Sequence, residues 1–264
     1  MPKYNLARIS TRAPEDLDKK EIQDQTDKLI RRIAELQDVL YAQNKHSLLV
    51  VIQGQDASGK DGAIKNVFSR INPQGVSVTS FKKPTPLEMS HDFLWRVHAE
   101  VPGKGQIKIF NRSHYEDVLI TRVEGWIDDQ TARRRFEHIN AFEQLLQNNG
   151  TCICKFFLHV SPEEQEKRFY ERLTDPQKMW KYGEEDLLKL RKKEQYAACY
   201  EEAFEACSPE IAWTIVPADQ NWYKEYLIAK TVCDALTKMD LEYPKPKINM
   251  NTAEVQEILK KFNK

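Results

Sequence analysis

The sequence lacks a net charge, a long apolar run and a signal-peptide layout. Its 264 residues include 40 Lys plus Arg and 40 Asp plus Glu, so the formal net charge is zero. Proteins that bind nucleic acid or anionic membranes normally carry a basic excess, and the balance therefore argues against both classes. No apolar run approaches the roughly 20 residues that span a membrane, and the run around 156–160 is only long enough for a strand. We expect a soluble, cytoplasmic protein that binds neither nucleic acid nor membrane.

Cysteine is sparse as well. Five cysteines, an odd number with no secretory signal, do not suggest a framework of disulfide bonds. Cys152 and Cys154 would share one face of a strand, but zinc needs two further ligands and the sequence offers none close by. We expect buried or inert thiols.

Apolar runs alternate with amphipathic stretches along the chain. Five runs have the length of buried strands: 48–52, 76–81, 106–110, 152–160 and 212–216. Helical spacing occurs in an N-terminal segment at about 14–45 and then at 61–71, 90–99, 128–149, 161–173 and 184–207. The alternation predicts an α/β fold with a mainly parallel sheet. We expect one domain over 1–264, with a loosely attached C-terminal arm at about 244–264.

Glycine is scarce, but three of the nine glycines lie in one short stretch, at 54, 59 and 62. Residues 54–61 read Gly-Gln-Asp-Ala-Ser-Gly-Lys-Asp and follow the first predicted strand. This is the setting of a P-loop, whose backbone amides and lysine surround phosphate oxygens. The candidate phosphate-binding residues of the loop are Gly54, Ala57, Ser58, Gly59, Lys60 and Asp61. The alternative is a tight strand-to-helix turn with a surface lysine.

The loop departs from the usual P-loop pattern at its last position. Asp61 replaces the Ser or Thr that ordinarily coordinates magnesium. Asp56 places a carboxylate inside the loop, and Mg²⁺ prefers such oxygen ligands. Asp56 is therefore a candidate metal ligand or a candidate base acting on an acceptor phosphate, and the sequence leaves both roles open.

A second polar segment, at 107–118, begins as a strand and ends in charged side chains. Ligands bind at the carboxyl ends of parallel strands, which is where these side chains would lie. Arg112 can bind a phosphate in bidentate fashion, whereas Glu116 and Asp117 supply oxygens for a metal, a ribose or a base. A solvated helix start would explain the two carboxylates but not the arginine beside them. We therefore favour a functional segment.

These two segments and four others resemble the family-2 polyphosphate kinases. The others are Asn-Pro-Gln-Gly from Asn72, Ser-Phe-Lys-Lys-Pro from Ser80, His-Asp-Phe-Leu-Trp-Arg from His91 and Val-Pro-Ala-Asp from Val216. The resemblance covers about 15–245. It implies a P-loop kinase-like three-layer α/β/α sandwich with a mainly parallel five-stranded sheet and a helical lid at about 162–195. The segment 111–117, Asn-Arg-Ser-His-Tyr-Glu-Asp, is similar to the class III branch, whose members phosphorylate both monophosphates and diphosphates.

The resemblance also implies roles for individual residues. The catalytic positions would be Asp56, Lys60, Arg112 and Asp117, with Asp56 and Asp117 as the metal ligands. Nucleotide binding would involve Asn111, Tyr115, Glu116 and Asp117. The basic residues expected along the phosphate channel and the lid are Lys65, Lys82, Lys83, Arg122, Arg168 and Arg172.

A lid can also be argued from the residues themselves. Arg168 and Arg172 are four positions apart, so both project from one face of the predicted helix at 161–173. Basic residues on a lid would close on bound phosphates and exclude water. The alternative is a solvated helix face, on which Glu164 and Glu171 pair with Arg168.

The implied activity is reversible transfer of a terminal phosphoryl group from inorganic polyphosphate to AMP and ADP. The implied cofactor is Mg²⁺, which Mn²⁺ can replace. The partners are polyphosphate and adenine nucleotides, with guanine nucleotides left open, and the family commonly assembles as dimers or tetramers. Two alternatives remain at this point: an ATP-dependent nucleoside monophosphate kinase built on the same sheet, and a non-catalytic nucleotide-binding regulator.

Overall fold

A computed structural model describes residues 4–177, 179, 192–207, 210–246 and 252–262. Its strands are β1 (Ser47–Gly54), β2 (Val76–Ser80), β3 (Ile107–Asn111), β4 (Thr151–His159) and β5 (Trp213–Pro217). The helices before β4 are α1 (Lys19–Gln43), α2 (Lys60–Val67), α3 (Pro86–Met89), α4 (Trp95–His98), α5 (Ile120–Val123) and α6 (Asp129–Asn148). Those after β4 are α7 (Pro162–Thr174), α8 (Lys193–Ala206), α9 (Asn221–Thr237) and α10 (Ala253–Phe262).

The five strands form one parallel sheet in the order β2-β3-β1-β4-β5. In its centre, Leu48 of β1 lies opposite Ile107 of β3 and Cys152 of β4. All eight residues of β1 are buried, because helices cover both faces of the sheet. The carboxyl ends of the strands meet along one edge, which is where open parallel sheets bind ligands.

Alternate residues of β1 enter different cores. Leu48, Val50 and Ile52 pack in a cluster with apolar residues of α1, α2 and α9. Leu49 and Val51 point to the other face, where α6 and α8 supply the apolar partners. The protein is thus a three-layer α/β/α sandwich around a five-stranded parallel sheet, and the predicted fold is confirmed.

The helices differ more from the sequence-based expectations than the strands do. All five predicted strands are present, but of the helix predicted at 90–99 only the single turn α4 (Trp95–His98) forms, and a separate turn, α3, precedes the predicted range. Thr85 and Glu88 form a capping box with Pro86 in the first turn, which starts α3 earlier than the apolar spacing indicated. The first part of the helix predicted at 184–207 lies outside the described residues, and α8 forms the rest.

Helix α9 was not predicted. Its buried side chains include Ile228, Val232 and Leu236, spaced four residues apart. This spacing is a helical signal that the sequence contained. The predicted arm at 244–264 includes α10, none of whose residues is buried, whereas 247–251 and 263–264 lie outside the described residues. No helix in the described part of the chain is long and apolar enough to cross a membrane.

Candidate active site

The loop between β1 and α2 adopts a conformation that depends on glycine. Gly59 has φ 88°, in the left-handed region that residues other than glycine rarely adopt. A Cβ on Gly54 would lie 2.7 Å from Ser58 Oγ and 2.9 Å from the Leu158 carbonyl oxygen. Both glycines are therefore required for the loop to turn sharply into the N-terminus of α2.

Lys60 folds back over this loop. Its Nζ donates hydrogen bonds to the carbonyl oxygens of Gly54, at 2.7 Å, and Gln55, at 3.1 Å. Burial, together with the neighbouring positive charge of Arg112, lowers the pKa of Lys60 from 10.5 to about 8. A buried ammonium held near a second cation favours an anionic ligand, since negative charge would compensate both.

Arg112 joins the loop to the polar segment after β3. Its guanidinium forms an ion pair with Asp56 of the loop and another with Glu116, at 3.3 Å. The charge of Glu116, the largest influence, raises the pKa of Arg112 despite its burial. Arg112 itself has φ 62°, an uncommon backbone conformation that turns the chain at the end of β3. The structure thus brings three of the predicted site residues together.

Asp117 faces a different set of partners. Its carboxylate accepts a hydrogen bond from Arg96, at 3.2 Å, and has Arg135 at 3.9 Å. Burial raises the pKa of Asp117, and the charge of Arg96 offsets only part of this effect. The Asp117 carboxylate therefore faces Arg96 and Arg135, whereas the Asp56 carboxylate pairs with Arg112.

A cavity of about 630 Å³ opens above the P-loop, and we call it the loop cavity. It contains most of the predicted phosphate-binding residues, together with residues of α7 and α9. The polar side chains lining it include Asp56, Lys60, Asp61, Lys82, Asn111, Arg112, Arg168, Arg172, Asn221 and Lys224. Among these, Asn111 donates a hydrogen bond to Asp61 at 2.9 Å. The cationic groups from five separate segments make this cavity suited to a chain of phosphates.

A second cavity of about 470 Å³ lies beside the first, and we call it the Asp117 pocket. Its walls combine apolar groups, such as Phe81, Ile120 and Trp126, with charged groups. The charged or polar lining residues include Lys82, Lys83, Arg96, Arg112, Glu116, Asp117 and Thr121. Phe81, Lys82 and Arg112 line both cavities, so the two spaces meet at these side chains.

Arg168 of α7 ties the predicted lid to the loop. It donates hydrogen bonds to the carbonyl oxygens of Ala57, at 3.0 Å, and Ala218, at 2.7 Å. It also pairs with Glu164 at 2.8 Å, so the helix-face pair weighed in the sequence occurs alongside the contact with the loop. Arg168 therefore connects α7, the P-loop and the end of β5.

Two of the predicted basic phosphate-binding residues lie elsewhere. Lys65 is exposed on α2 and lines neither the loop cavity nor the Asp117 pocket. Arg122 also lines neither, and it pairs with Asp129 and Glu202, each at 2.8 Å. The local sequence showed their charge, but only the folded chain shows which surface each occupies.

A buried polar network supports the segment that carries Glu116 and Asp117. Tyr115, predicted to bind nucleotide, is fully buried and donates a hydrogen bond to Glu143 of α6 at 2.8 Å. Lys155 of β4 donates to Glu143 at 2.7 Å and to the Tyr115 hydroxyl at 2.9 Å. His114 Nε2 lies 3.3 Å from Glu143. Glu143 and Lys155 were missed in the sequence, because each looks like an ordinary charged residue within its own segment.

The fold and the site define a class of protein. A parallel sheet whose central strand runs into a glycine-rich, lysine-bearing loop and then a helix is typical of P-loop kinase-like proteins. Within this class, the sequence profile of the family described as polyphosphate kinase 2 matches residues 16–244. The chain belongs to the polyphosphate kinase 2 family.

Individual relatives agree with this assignment. The chain is 47% identical over 219 residues to the AMP/ADP-polyphosphate phosphotransferase of Meiothermus ruber, covering 83% of this chain and 82% of that protein. It is 40% identical over 228 residues to the ADP-polyphosphate phosphotransferase of Rhodopseudomonas palustris, covering 81% and 79%. The crystal structure of polyphosphate kinase 2 from Arthrobacter aurescens superposes with a TM-score of 0.92 at 38% identity, covering 98% of this chain and 93% of that one.

Proposed function

We propose that this protein is a phosphotransferase that moves the terminal phosphoryl group of inorganic polyphosphate onto AMP and ADP, and that the transfer is reversible. The observation that carries the proposal is the meeting of two cavities at Arg112. The loop cavity has the shape and charge for the polyphosphate chain, whereas the Asp117 pocket combines apolar and polar walls suited to a nucleotide. The names of the M. ruber and R. palustris relatives support this choice of substrates.

The mechanism follows from the placement of the cationic groups. The amides of the P-loop and the Lys60 ammonium hold the phosphate in transit at the N-terminus of α2. Arg112, at the junction of the two cavities, offsets charge on the transferred group while its pairs with Asp56 and Glu116 fix its direction. Transfer then requires positioning and charge stabilisation more than covalent chemistry by the protein.

A divalent cation, Mg²⁺ or in its place Mn²⁺, is the cofactor that we propose. The described residues contain no group of three or more His, Cys, Asp or Glu arranged to hold a metal. Mg²⁺ commonly binds through one or two carboxylates and the phosphates of the substrate, so it does not require a larger group of protein ligands. Asp56 and Asp61 both line the loop cavity and would hold the ion. When bound, the cation neutralises phosphate charge.

Asp117 keeps its place in the proposal as a residue of the nucleotide pocket. We predicted it from the sequence as a second metal ligand, and that role stays a prediction: Asp117 lines the Asp117 pocket and not the loop cavity that contains Asp56. Glu116 lines the Asp117 pocket and pairs with Arg112, so it lies where an acceptor phosphate would meet the donor. We propose that Glu116 contributes to the choice between AMP and ADP.

The test is ATP formation by the purified protein with long-chain polyphosphate and Mg²⁺, with AMP alone and with ADP alone. We expect product from both acceptors, and parallel reactions with GMP and GDP measure the preference for the base. ATP from ADP only would retain the family activity and refute the use of AMP. Activity with ATP plus AMP but none with polyphosphate would favour the monophosphate kinase, and nucleotide binding without turnover would favour the regulator.

Variants connect this assay to the loop. Lys60→Ala should abolish transfer, because the phosphate in transit loses its ammonium partner. Lys230→Ala, on the exposed face of α9, is the matched control and should keep full activity. Most of the activity surviving in Lys60→Ala would refute the proposed mechanism. The predicted dimer or tetramer is tested separately, by light scattering after size-exclusion chromatography.

A further inference from the structure

Lys224 is a buried lysine that the sequence analysis did not single out. It lies in the first turn of α9, is 1% exposed, and lines the loop cavity. Its Nζ lies 2.7 Å from Asn221 Oδ1 and 3.4 Å from the Gly59 carbonyl oxygen. The tip of this side chain is thus held against the P-loop by neutral oxygens.

The surroundings of Lys224 leave its charge poorly compensated. It forms no ion pair with a carboxylate of the described residues within 4.0 Å, whereas Arg168 lies nearby. A Cβ on Gly59 would be 2.5 Å from Lys224 Nζ and 3.5 Å from Arg168 Nη1, so both cations flank the same turn of the loop. Burial and the charge of Arg168 lower the pKa of Lys224 from 10.5 to about 8, and the charges of Glu225 and Glu164 offset only part of this shift.

Lys224 is a buried cation held only by neutral oxygens, and beside it lies Arg168, which is partly buried and paired with Glu164. Isolated buried charges are normally neutralised by a partner or by a shift in protonation. The loop already uses Lys60 on its α2 side, and Lys224 approaches from the α9 side, where Arg168 also lies. An anion seated there would compensate Lys224 and Arg168 together.

We infer that Lys224 binds a phosphate group of the polyphosphate donor other than the one transferred, in a subsite formed with Arg168 beside Gly59. Lys224 lines the loop cavity but not the Asp117 pocket, which assigns it to the donor and not to the nucleotide acceptor. The inference rests on the proposed function for the identity of the donor. The subsite itself depends only on the positions of the two cations.

The test compares Lys224→Met, Lys224→Gln and wild type in binding inorganic tripolyphosphate, measured by calorimetry without nucleotide. A charge-assisted hydrogen bond is worth about 1.5–3 kcal/mol, so both variants should bind roughly 10- to 150-fold more weakly. In the turnover assay, KM for polyphosphate should rise while KM for ADP stays within about twofold. Lys230→Met, on the same helix but paired with Asp234 in solvent, is the matched control.

A purely structural tether predicts different results. Gln keeps a hydrogen bond to Asn221, so Lys224→Gln would then bind tripolyphosphate as tightly as wild type. A tether would also lower the Tm of the ligand-free protein when Lys224 is replaced by Met. We expect the Tm of Lys224→Met to stay unchanged or to rise, because the fold disfavours this buried charge. Unchanged tripolyphosphate binding in both variants would overturn the inference. If wild type makes no ATP from polyphosphate, the proposed function fails, whereas weaker tripolyphosphate binding by both variants would still support the subsite.

Discussion

Lys155→Met should destabilise the protein more than most single substitutions, because it breaks a fully buried ion pair. Lys155 Nζ donates to Glu143, to Tyr115 and, at 2.5 Å, to the carbonyl oxygen of Cys207. Methionine fills much of the same volume but leaves the Glu143 carboxylate without its cation. Removing one partner of a buried pair costs about 3–5 kcal/mol of unfolding free energy.

The remaining network limits this cost without removing it. Burial alone would raise the pKa of Glu143, but hydrogen bonding from His114 and the charge of Lys155 outweigh burial, and its pKa is lowered. Without Lys155 the carboxylate should take up a proton more easily, which relieves part of the penalty. Replacing Glu143 as well should therefore restore stability, and we expect Glu143→Gln/Lys155→Met to be more stable than Lys155→Met alone.

Urea unfolding followed by tryptophan fluorescence and far-UV circular dichroism measures these differences. With a slope of about 3 kcal/mol per M, the midpoint of Lys155→Met should fall by on the order of 1 M. Lys230→Met is the control, since its pair with Asp234 is half exposed and worth roughly 0.3–0.5 kcal/mol. A loss in Lys155→Met no larger than in this control would refute the assignment of the network as a main support of the segment at 113–118.

Three further predictions concern the P-loop and the residues that contact it. Gly59→Ala should lower the Tm and weaken tripolyphosphate binding, since φ 88° disfavours alanine and its Cβ would meet Lys224; an unchanged Tm in scanning fluorimetry would contradict this. Because the pKa values of Lys60 and Lys224 fall from 10.5 to about 8, the unfolded chain binds more protons between those pH values. The free energy of unfolding contributed by these two groups should therefore rise as pH increases from about 8 to 10.5. Urea unfolding at several pH values measures this rise, and an equal dependence of the unfolding free energy on pH in wild type and Lys60→Met/Lys224→Met would exclude the contribution. Arg112→Lys should slow transfer by about 100-fold, because lysine cannot bridge Asp56 and Glu116 together, and a rate within threefold of wild type in the ATP assay would count against that role.

Local patterns carried most of the fold and the centre of the site. Strand-length segments predicted all five strands. In β1 the continuous apolar run reflects burial on both faces of the sheet, whereas β2 lies at the edge of the sheet and has exposed positions, so its valines alternate with Ser and Thr. Gly54, Gly59 and Lys60 predicted the phosphate loop, because the backbone geometry and the charge that it needs are encoded within eight residues. Asp56, Arg112 and Glu116 were all named from the sequence, and the structure brings them into contact.

What the sequence could not supply were relations between distant segments. Lys155 and Glu143 look like solvated charges in their own segments, and only the packing of α6 against β4 buries them together. Lys65 and Arg122 looked as suitable for phosphate as Lys82 did, but helix direction places them outside the loop cavity. Lys224 reaches the P-loop across 165 positions of sequence. Charge and backbone preference are properties of a residue and its neighbours, whereas burial and electrostatic partners are properties of the folded chain, and the tertiary structure alone decided them.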